Sequence, residues 1–330
     1  MSDQYRIISD GAGWLDRAGR GRVRFRGSDA ASFLQALVSN EVASLQPGQG
    51  VYATYLTPQG RMIADLRIYR RGDSFVADVA PSTGAALAER FDQLIFAEDV
   101  QSSDATAELS QTTVIGGRAA EIVGEALGMD AAALRALPVW AQLDARDAGG
   151  DGVFVVRTDD ATLPSFDVFG PAGAAASIRE RLAGAGAGEL PRELAESLRI
   201  DAGRPRFGVD MTEQTIPLEA GIGDRAISLT KGCYVGQEVI IRVLHRGGGR
   251  VAKRLVRLAF DPGVVEPPAA GDAIEAGGKP TGTITSVARA PDDSRWIALG
   301  YTHRDVAEEG RQVTIAGRPD AGATIAGLAG

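Results

Sequence analysis

Residues 229–257 contain most of the side chains in this sequence that could carry covalent or metal chemistry. They include the only cysteine of the chain, Cys233, and two of its three lysines, Lys231 and Lys253. An ammonium group close to a thiol favours the thiolate, which is the nucleophilic and metal-binding form of cysteine. We therefore predict that Lys231 lowers the pKa of Cys233 below the ~8.5 of a free thiol. Cys233 would then be an accessible nucleophile or transient metal ligand.

The residues around Cys233 favour an exposed position for the thiol. Gly232 and Gly236 allow the backbone to turn and present the sulfur. An inert Cys233, buried as a small apolar side chain in a binding module, is the alternative. One cysteine and one distant histidine cannot form a closed metal site, so no resident metal is predicted. Three neighbours complete the candidate catalytic set with Lys231 and Cys233: Tyr234, Gln237 and Glu238.

Positive charge is concentrated directly after this segment. Between residues 242 and 257 there are six arginines or lysines and no acidic residue, in a chain of net charge −8. Such a stretch could steer a polyanion towards the site. The alternative is a solvated hairpin whose arginines pair with acids elsewhere.

Several motifs resemble a known family. The sequence KGCYVGQE at residues 231–238 resembles the signature of the YgfZ-type folate-binding iron–sulfur maintenance proteins, which belong to the superfamily of the glycine-cleavage aminomethyltransferase. The stretch from Gln59-Gly60-Arg61 to Asp65-Leu66 resembles the Gly-x-x-x-x-Asp-Leu strand of that superfamily. LRIDAG at 198–203 and IPLEAG at 216–221 resemble two further landmarks.

The resemblance implies a ligand and the residues that hold it. The expected ligand is tetrahydrofolate or another reduced folate, whose pterin needs a carboxylate, whose rings need stacking surfaces and whose glutamyl tail needs cations. Asp65 matches the acid near the folate nitrogens in aminomethyltransferases; the alternative is a surface acid paired with Arg67. The other expected folate contacts are the pocket walls Tyr52 and Tyr55 and the tail-binding arginines Arg199, Arg242 and Arg246.

One departure from the aminomethyltransferase pattern weakens the expectation of tight folate binding and argues against glycine-cleavage activity. Those enzymes carry a glutamate that holds the pterin, whereas residues 159–164 contain no glutamate and only Asp160 as a shifted substitute. The resemblance to the YgfZ-type proteins implies a folate-binding accessory factor that supports iron–sulfur cluster assembly or repair. Its partners would be cluster-assembly proteins and client enzymes. The alternative is a folate-dependent aminomethyltransferase or demethylase.

The fold expected from the resemblance is a three-lobed α+β cloverleaf around a central folate channel, and the hydrophobic patterns agree with it. Residues 28–111 are predicted to form a ferredoxin-like α+β lobe. Residues 1–27 with 112–248 form a discontinuous α+β lobe that carries the KGCYVGQE segment. Residues 249–330 show strand patterns separated by Gly, Pro and Asp turns and no helix pattern, which predicts an antiparallel β-barrel.

Composition restricts the class of protein. With 330 residues, 44% hydrophobic and 24% charged, the chain has the composition of an ordinary globular protein. No stretch approaches the ~20 apolar residues of a membrane span, and the N-terminus has no secretory pattern. The acidic balance makes general nucleic-acid binding unlikely as a function. We expect a cytoplasmic monomer with no internal disulfide.

Overall fold

Two sheets and one closed barrel make up the protein in a computed structural model that describes residues 3–145, 152–245 and 249–330. The first part of the chain contains α1 (Asp3–Asp10), β1 (Gly13–Asp16), β2 (Arg20–Arg26), α2 (Ala30–Leu37), β3 (Gly50–Leu56), β4 (Met62–Arg71), β5 (Ser74–Pro81), α3 (Gly84–Asp92) and β6 (Gln101–Asp104). The middle part contains β7 (Leu109–Ile115), α4 (Ala119–Leu127), α5 (Ala131–Ala136), β8 (Gln142–Asp144), β9 (Phe154–Thr158), β10 (Ser165–Pro171), α6 (Ala175–Gly184), β11 (Gly188–Glu189), α7 (Arg192–Asp201), α8 (Gly223–Ala226) and α9 (Gln237–His245). The last part contains β12 (Lys253–Phe260), β13 (Ala273–Ala276), β14 (Lys279–Arg289), β15 (Trp296–His303), β16 (Gln312–Ile315) and β17 (Arg318–Leu328).

The first sheet has five strands in the order β3-β4-β5-β2-β6. Strand β4 alternates as its sequence predicts: Ala64, Leu66 and Ile68 are buried in a core that α2 and α3 complete. Because successive side chains of a strand point to opposite faces, Asp65 and Arg67 lie on the other face. That face turns towards the second sheet and the central cavity.

The second sheet has six strands in the order β11-β1-β7-β10-β9-β8. Its β1 comes from the N-terminal segment and pairs antiparallel with β7 and parallel with β11. The next strand, β2, belongs to the first sheet, where it pairs with β5 and β6. The predicted domain boundary assigns residues 20–26 to the second lobe, and the structure corrects this because Val23 and Phe25 are fully buried in the core of the first lobe.

A buried polar layer joins the facing surfaces of the two sheets. Arg22 of β2 is completely buried and donates to Gln111 of β7, with 3.0 Å between Nη2 and Oε1. Gln111 in turn donates to Asp167 of β10 at 2.8 Å. Arg67 of β4 lies 3.7 Å from both Asp167 and Asp78 of β5. The sheets therefore meet through matched charges and hydrogen bonds.

The last part of the chain forms a closed antiparallel barrel with strand order β12-β15-β14-β13-β16-β17. Its interior is apolar, with Val256, Phe260, Ile274 and Ile325 buried. No helix interrupts residues 253–328 among those the structure describes. The α+β class and the C-terminal barrel predicted from the sequence are confirmed.

One carboxylate anchors the barrel to the second lobe. Asp210, in the segment after α7, is 2% exposed. One of its oxygens accepts hydrogen bonds from Thr285 and Ser286 of β14, each at 2.6 Å. The other accepts from Arg199 of α7 at 2.7 Å and from the backbone N–H of Arg206 at 3.0 Å. Asp210 thus satisfies donors from both lobes at once.

Replacing Asp210 with alanine should destabilise the protein by about 3–5 kcal/mol, because it leaves the buried Arg199 guanidinium without one of its two carboxylates. Urea unfolding with linear extrapolation measures the change. Asp305, an exposed carboxylate of the barrel lobe, supplies the control, and Asp305→Ala should change stability by less than about 0.5 kcal/mol. Equal effects of the two variants would show that Asp210 does not anchor the barrel.

Candidate functional site

A cavity of about 1000 Å³ lies where the two sheets and the barrel meet. The first lobe contributes Asp65 and Arg67, and the β1–β2 turn contributes Arg17 and Arg20. Helix α7 and the loop after it form another wall, and the hairpin between β14 and β15 closes the barrel side with Trp296. The hairpin is held against α7 by a hydrogen bond from the Ser197 hydroxyl to the carbonyl of Arg289, at 2.6 Å.

Asp65 presents a carboxylate to this cavity from the middle of β4. Burial raises its pKa and outweighs the opposing effects of Arg20, Arg67 and the hydroxyl of Tyr52. The Tyr52 hydroxyl donates to Asp65 Oδ2 at 3.0 Å. The Tyr52 ring stacks on Trp140, with 6.0 Å between the ring centroids. A carboxyl group with a raised pKa, held in place by a rigid tyrosine, is suited to take up or release a proton.

The alternative interpretation, in which Asp65 is a surface acid paired with Arg67, is wrong. The Arg67 guanidinium forms an ion pair with Asp160, with 2.6 Å between Nη2 and Oδ2. Burial would raise the pKa of Asp160, but the charges of Arg67 and Arg17 outweigh it and lower the pKa. Asp160 therefore lines the cavity as an ionised group bound to arginine.

Tyr55, predicted as a cavity wall, lies in the core of the first lobe instead. Its ring packs on Phe91 of α3 at 5.1 Å between centroids. Tyr52 and Tyr55 are three positions apart on one strand, and an odd separation places side chains on opposite faces. Only Tyr52 is on the face of Asp65.

The arginines predicted to bind a folate tail have different positions. Arg199 lines the cavity but is already paired with Glu196 and Asp210, at 2.6 and 2.7 Å. Burial would lower the pKa of Arg199, but the hydrogen bonds and charges of these carboxylates outweigh it and raise the pKa. Arg242 is exposed on α9 and pairs with Glu238 at 2.6 Å, outside the cavity lining. Arg246 lies outside the described residues.

Cys233 is exposed, as predicted, but it is not part of the cavity lining. Its loop packs against the turn between β3 and β4. Gly236 has φ +85°, and a Cβ there would lie 2.6 Å from the carbonyl oxygen of Thr57. Only glycine fits this conformation and this close approach. The surface that presents Cys233 is therefore built on the first lobe.

Lys231 is a structural anchor for that loop. Its Nζ donates to the backbone carbonyls of Gln35, Val38 and Asn40, at 2.6, 2.6 and 3.1 Å. These carbonyls lie in the last turn of α2 and just beyond it, where the helix lacks its own donors and its dipole favours a cation. The predicted use of Lys231 to activate the thiol is therefore wrong, because its ammonium donors are committed to α2.

The other residues of the predicted catalytic set do not form one site with Lys231. Tyr234 is buried, with Lys231 Nζ 5.1 Å from its ring centroid, and burial raises its pKa to about 12. Gln237 begins α9, and Glu238 is exposed in its first turn. Among the described residues, no hydrogen bond links the side chains of Tyr234, Gln237 and Glu238 to one another.

Two protein-family domains match this chain, one over the two sheets and the other over the barrel. The GCVT N-terminal domain matches residues 1–231, and the glycine cleavage T-protein C-terminal barrel domain matches residues 253–325. The chain belongs to the glycine cleavage T-protein family. Residues 232–252, with Cys233, lie between the two matched ranges.

Individual relatives of this T-protein family member agree. An aminomethyltransferase of Rubrobacter xylanophilus is 30% identical over 317 residues, which cover 96% of this chain and 82% of that protein. One from Geobacillus kaustophilus is 28% identical over 323 residues, covering 96% and 85%. The crystal structure of glycine cleavage system aminomethyltransferase T from Bartonella henselae has the same fold, with TM-score 0.85 at 20% identity over 98% of this chain and 87% of that one. The aminomethyltransferase superfamily inferred from the sequence is confirmed. All three are named aminomethyltransferases, so they do not support the narrower assignment to the YgfZ-type proteins.

Sequence reasoning missed most of the cavity lining of this T-protein family member, including Arg17, Arg20, Phe207 and Trp296. Arg17 and Arg20 flank the Ala18-Gly19 turn between β1 and β2, and Trp296 begins β15. The two arginines were readable as a basic pair at a turn, but nothing local indicated that the turn borders a cavity. No helix among the described residues has the length and apolar character required to cross a membrane.

Lys231 should make stability depend on pH. Burial lowers its pKa to about 8, outweighing the charge of Glu41. Its pKa in the unfolded chain is ~10.4. Between these values the folded state binds fewer protons, so the free energy of unfolding should rise with pH. Urea unfolding across this window should show the rise in the native protein and in Lys279→Met, a change at an exposed lysine, but not in Lys231→Met. An equal rise in Lys231→Met would contradict the assignment.

Proposed function

We propose that this protein binds a reduced folate in the central cavity and transfers a one-carbon unit to or from it, as a folate-dependent aminomethyltransferase. The observation that carries the proposal is Asp65, a cavity carboxylate with a raised pKa held by Tyr52. The names of the relatives favour the same activity.

The cavity residues fit a reduced folate. The pterin and the bridging nitrogens carry N–H donors, for which Asp65 is the acceptor on β4. Trp296 and Phe207 provide aromatic surface on the cavity wall. The folate supplies the nitrogen that carries the one-carbon unit. Asp65 would orient that nitrogen and hold or release its proton.

The ion pair between Asp160 and Arg67 affects the expected affinity for a folate. In this position a free carboxylate would bind the pterin, but Asp160 is already paired with Arg67. A folate that displaced this pair would have to offset the cost of leaving the Arg67 guanidinium without its nearest acid. We therefore expect weaker binding than in an enzyme with an unpaired glutamate there.

Asp65→Asn tests the proposal directly. It should weaken tetrahydrofolate binding by about 1–3 kcal/mol, because a charged hydrogen bond is lost. Calorimetric titration measures the affinity, and the exposed Asp305→Asn is the matched control. If the folded native protein bound no tetrahydrofolate at millimolar concentration, the proposal would fail.

A second candidate function rests on Cys233. This thiol is exposed, lies outside the cavity lining and sits in the segment that resembles the YgfZ-type signature. No group of three or more His, Cys, Asp or Glu residues suited to a metal occurs in the described ranges. A cluster at Cys233 would therefore need ligands from a partner. On this second proposal the protein supports iron–sulfur cluster assembly or repair, with cluster-assembly proteins and client enzymes as partners.

Complementation separates the two candidate functions. Cells that lack the gene are supplied with the native protein, Asp65→Asn or Cys233→Ser, and glycine cleavage is assayed beside iron–sulfur enzymes. The transferase proposal predicts that Asp65→Asn loses glycine cleavage while Cys233→Ser keeps it. The accessory-factor proposal predicts that Cys233→Ser loses iron–sulfur enzyme activity while glycine cleavage is normal in all strains. Unfolding of the purified variants controls for stability, and Cys233→Ser should fold normally because the thiol is exposed.

A further inference from the structure

The β1–β2 turn presents two arginines to the cavity from a fixed backbone. The backbone N–H of Arg17 donates to the carbonyl of Gln111 on β7 at 2.9 Å, and that of Arg20 donates to the carbonyl of Arg17 at 3.0 Å. Arg17 follows a strand of the second sheet, whereas Arg20 begins a strand of the first. Both side chains line the cavity. Their positions are therefore set by both sheets.

Arg17 is a partly buried cation with spare donors. Its Nε donates to the hydroxyl of Thr113 at 3.0 Å, and its two terminal nitrogens have no hydrogen-bond partner among the described residues. No carboxylate in the described part of the chain lies within 4.0 Å of its guanidinium. Burial is the largest effect on Arg17 and lowers its pKa, although Asp167 and Asp160 act in the opposite direction. Within the described ranges, the positive charge of Arg17 has no carboxylate partner.

Arg20 adds a second set of donors beside Arg17. Its Nε is bound to Asp78 at 2.6 Å, which fixes the side chain. The charge of Asp78 and its hydrogen bond outweigh burial and raise the pKa of Arg20. Its terminal nitrogens, like those of Arg17, donate to no group in the ranges described. Arg20 also acts on the pKa of Asp65, so these donors belong to the same region as that carboxylate.

The wider cavity wall favours an anion. Of the residues that the structure describes, eight arginines and six carboxylates line it, although the chain as a whole carries a net charge of −8. A concave site with an excess of one charge concentrates ligands of the opposite charge. Guanidinium groups match the geometry of a carboxylate, which accepts two parallel hydrogen bonds.

We propose that Arg17 and Arg20 form a carboxylate-binding site in the cavity wall near Asp65. The identity of the ligand rests on the proposed folate function. The carboxylate belongs either to the glutamyl part of a reduced folate or to a separate small carboxylate substrate that shares the cavity. Both sources present the same group to the two arginines.

Calorimetric titration of three proteins tests the site: the native protein, Arg17→Gln and Arg135→Gln. Glutamine keeps a donor for Thr113 but removes the charge, and Arg135 is an exposed arginine on α5 outside the cavity lining. The probes are tetrahydrofolate, tetrahydropteroate without glutamyl carboxylates, p-aminobenzoylglutamate and acetate. Arg17→Lys is a second variant that keeps the charge but not the paired donors.

If the carboxylate belongs to a folate, Arg17→Gln should weaken the binding of tetrahydrofolate and of p-aminobenzoylglutamate about 10-fold or more. The binding of tetrahydropteroate to this variant, and the binding of all probes to Arg135→Gln, should be unaffected. Arg17→Lys should give an intermediate loss. If the carboxylate belongs to a separate small substrate, Arg17→Gln should abolish acetate binding, while tetrahydrofolate and tetrahydropteroate bind as before. Unchanged binding of all four probes by Arg17→Gln would overturn the site. If no pterin compound bound the native protein, the folate function would fail, and p-aminobenzoylglutamate and acetate would still decide the anion site.

Discussion

The contact between the two sheets depends on buried charges that must be matched. Arg22, Arg67 and Asp78 from one sheet meet Gln111 and Asp167 from the other. A buried charge without a partner is very costly, so the sheets are stable only in the arrangement that pairs these groups. This arrangement also sets the cavity, because Arg67 pairs with Asp160 at its wall and Asp65 is two residues from Arg67 on the same strand face.

The two chemically suggestive regions of the chain are supported by different parts of the fold. The setting of Asp65 in the cavity depends on the facing sheets and on the barrel, which together enclose the cavity. Cys233 depends on the first lobe, where the carbonyls at the end of α2 hold Lys231 and the β3–β4 turn receives Gly236. The cavity carboxylate and the exposed thiol therefore lie on separate surfaces, and a function that used both would need a ligand or partner to connect them.

Local patterns were sufficient for many elements because their causes are local. Alternation along β4 predicts one apolar face and places Asp65 on the other. Helix α7 spans Arg192–Asp201, with Pro191 directly before it and Gly203 just past its end, the usual placement of these two residues. The same alternation also separates Tyr52 from Tyr55, so the sequence already contained the evidence against Tyr55 as a cavity wall. The boundary at residue 27 was wrong because the pairing partners of a strand are distant in sequence.

The sequence by itself indicated the aminomethyltransferase superfamily and the α+β and barrel architecture. It favoured an exposed Cys233 and placed Asp65 on one strand face, since motif spacing and strand periodicity depend on neighbouring residues. Only the tertiary structure decided what each long charged side chain binds. Lys231 could have reached Cys233 two residues away, but it binds carbonyls near residue 38. Arg199 could have met a ligand, but it pairs with Asp210. A flexible charged side chain binds the strongest partner that the fold brings within its reach, and most such partners come from other parts of the chain.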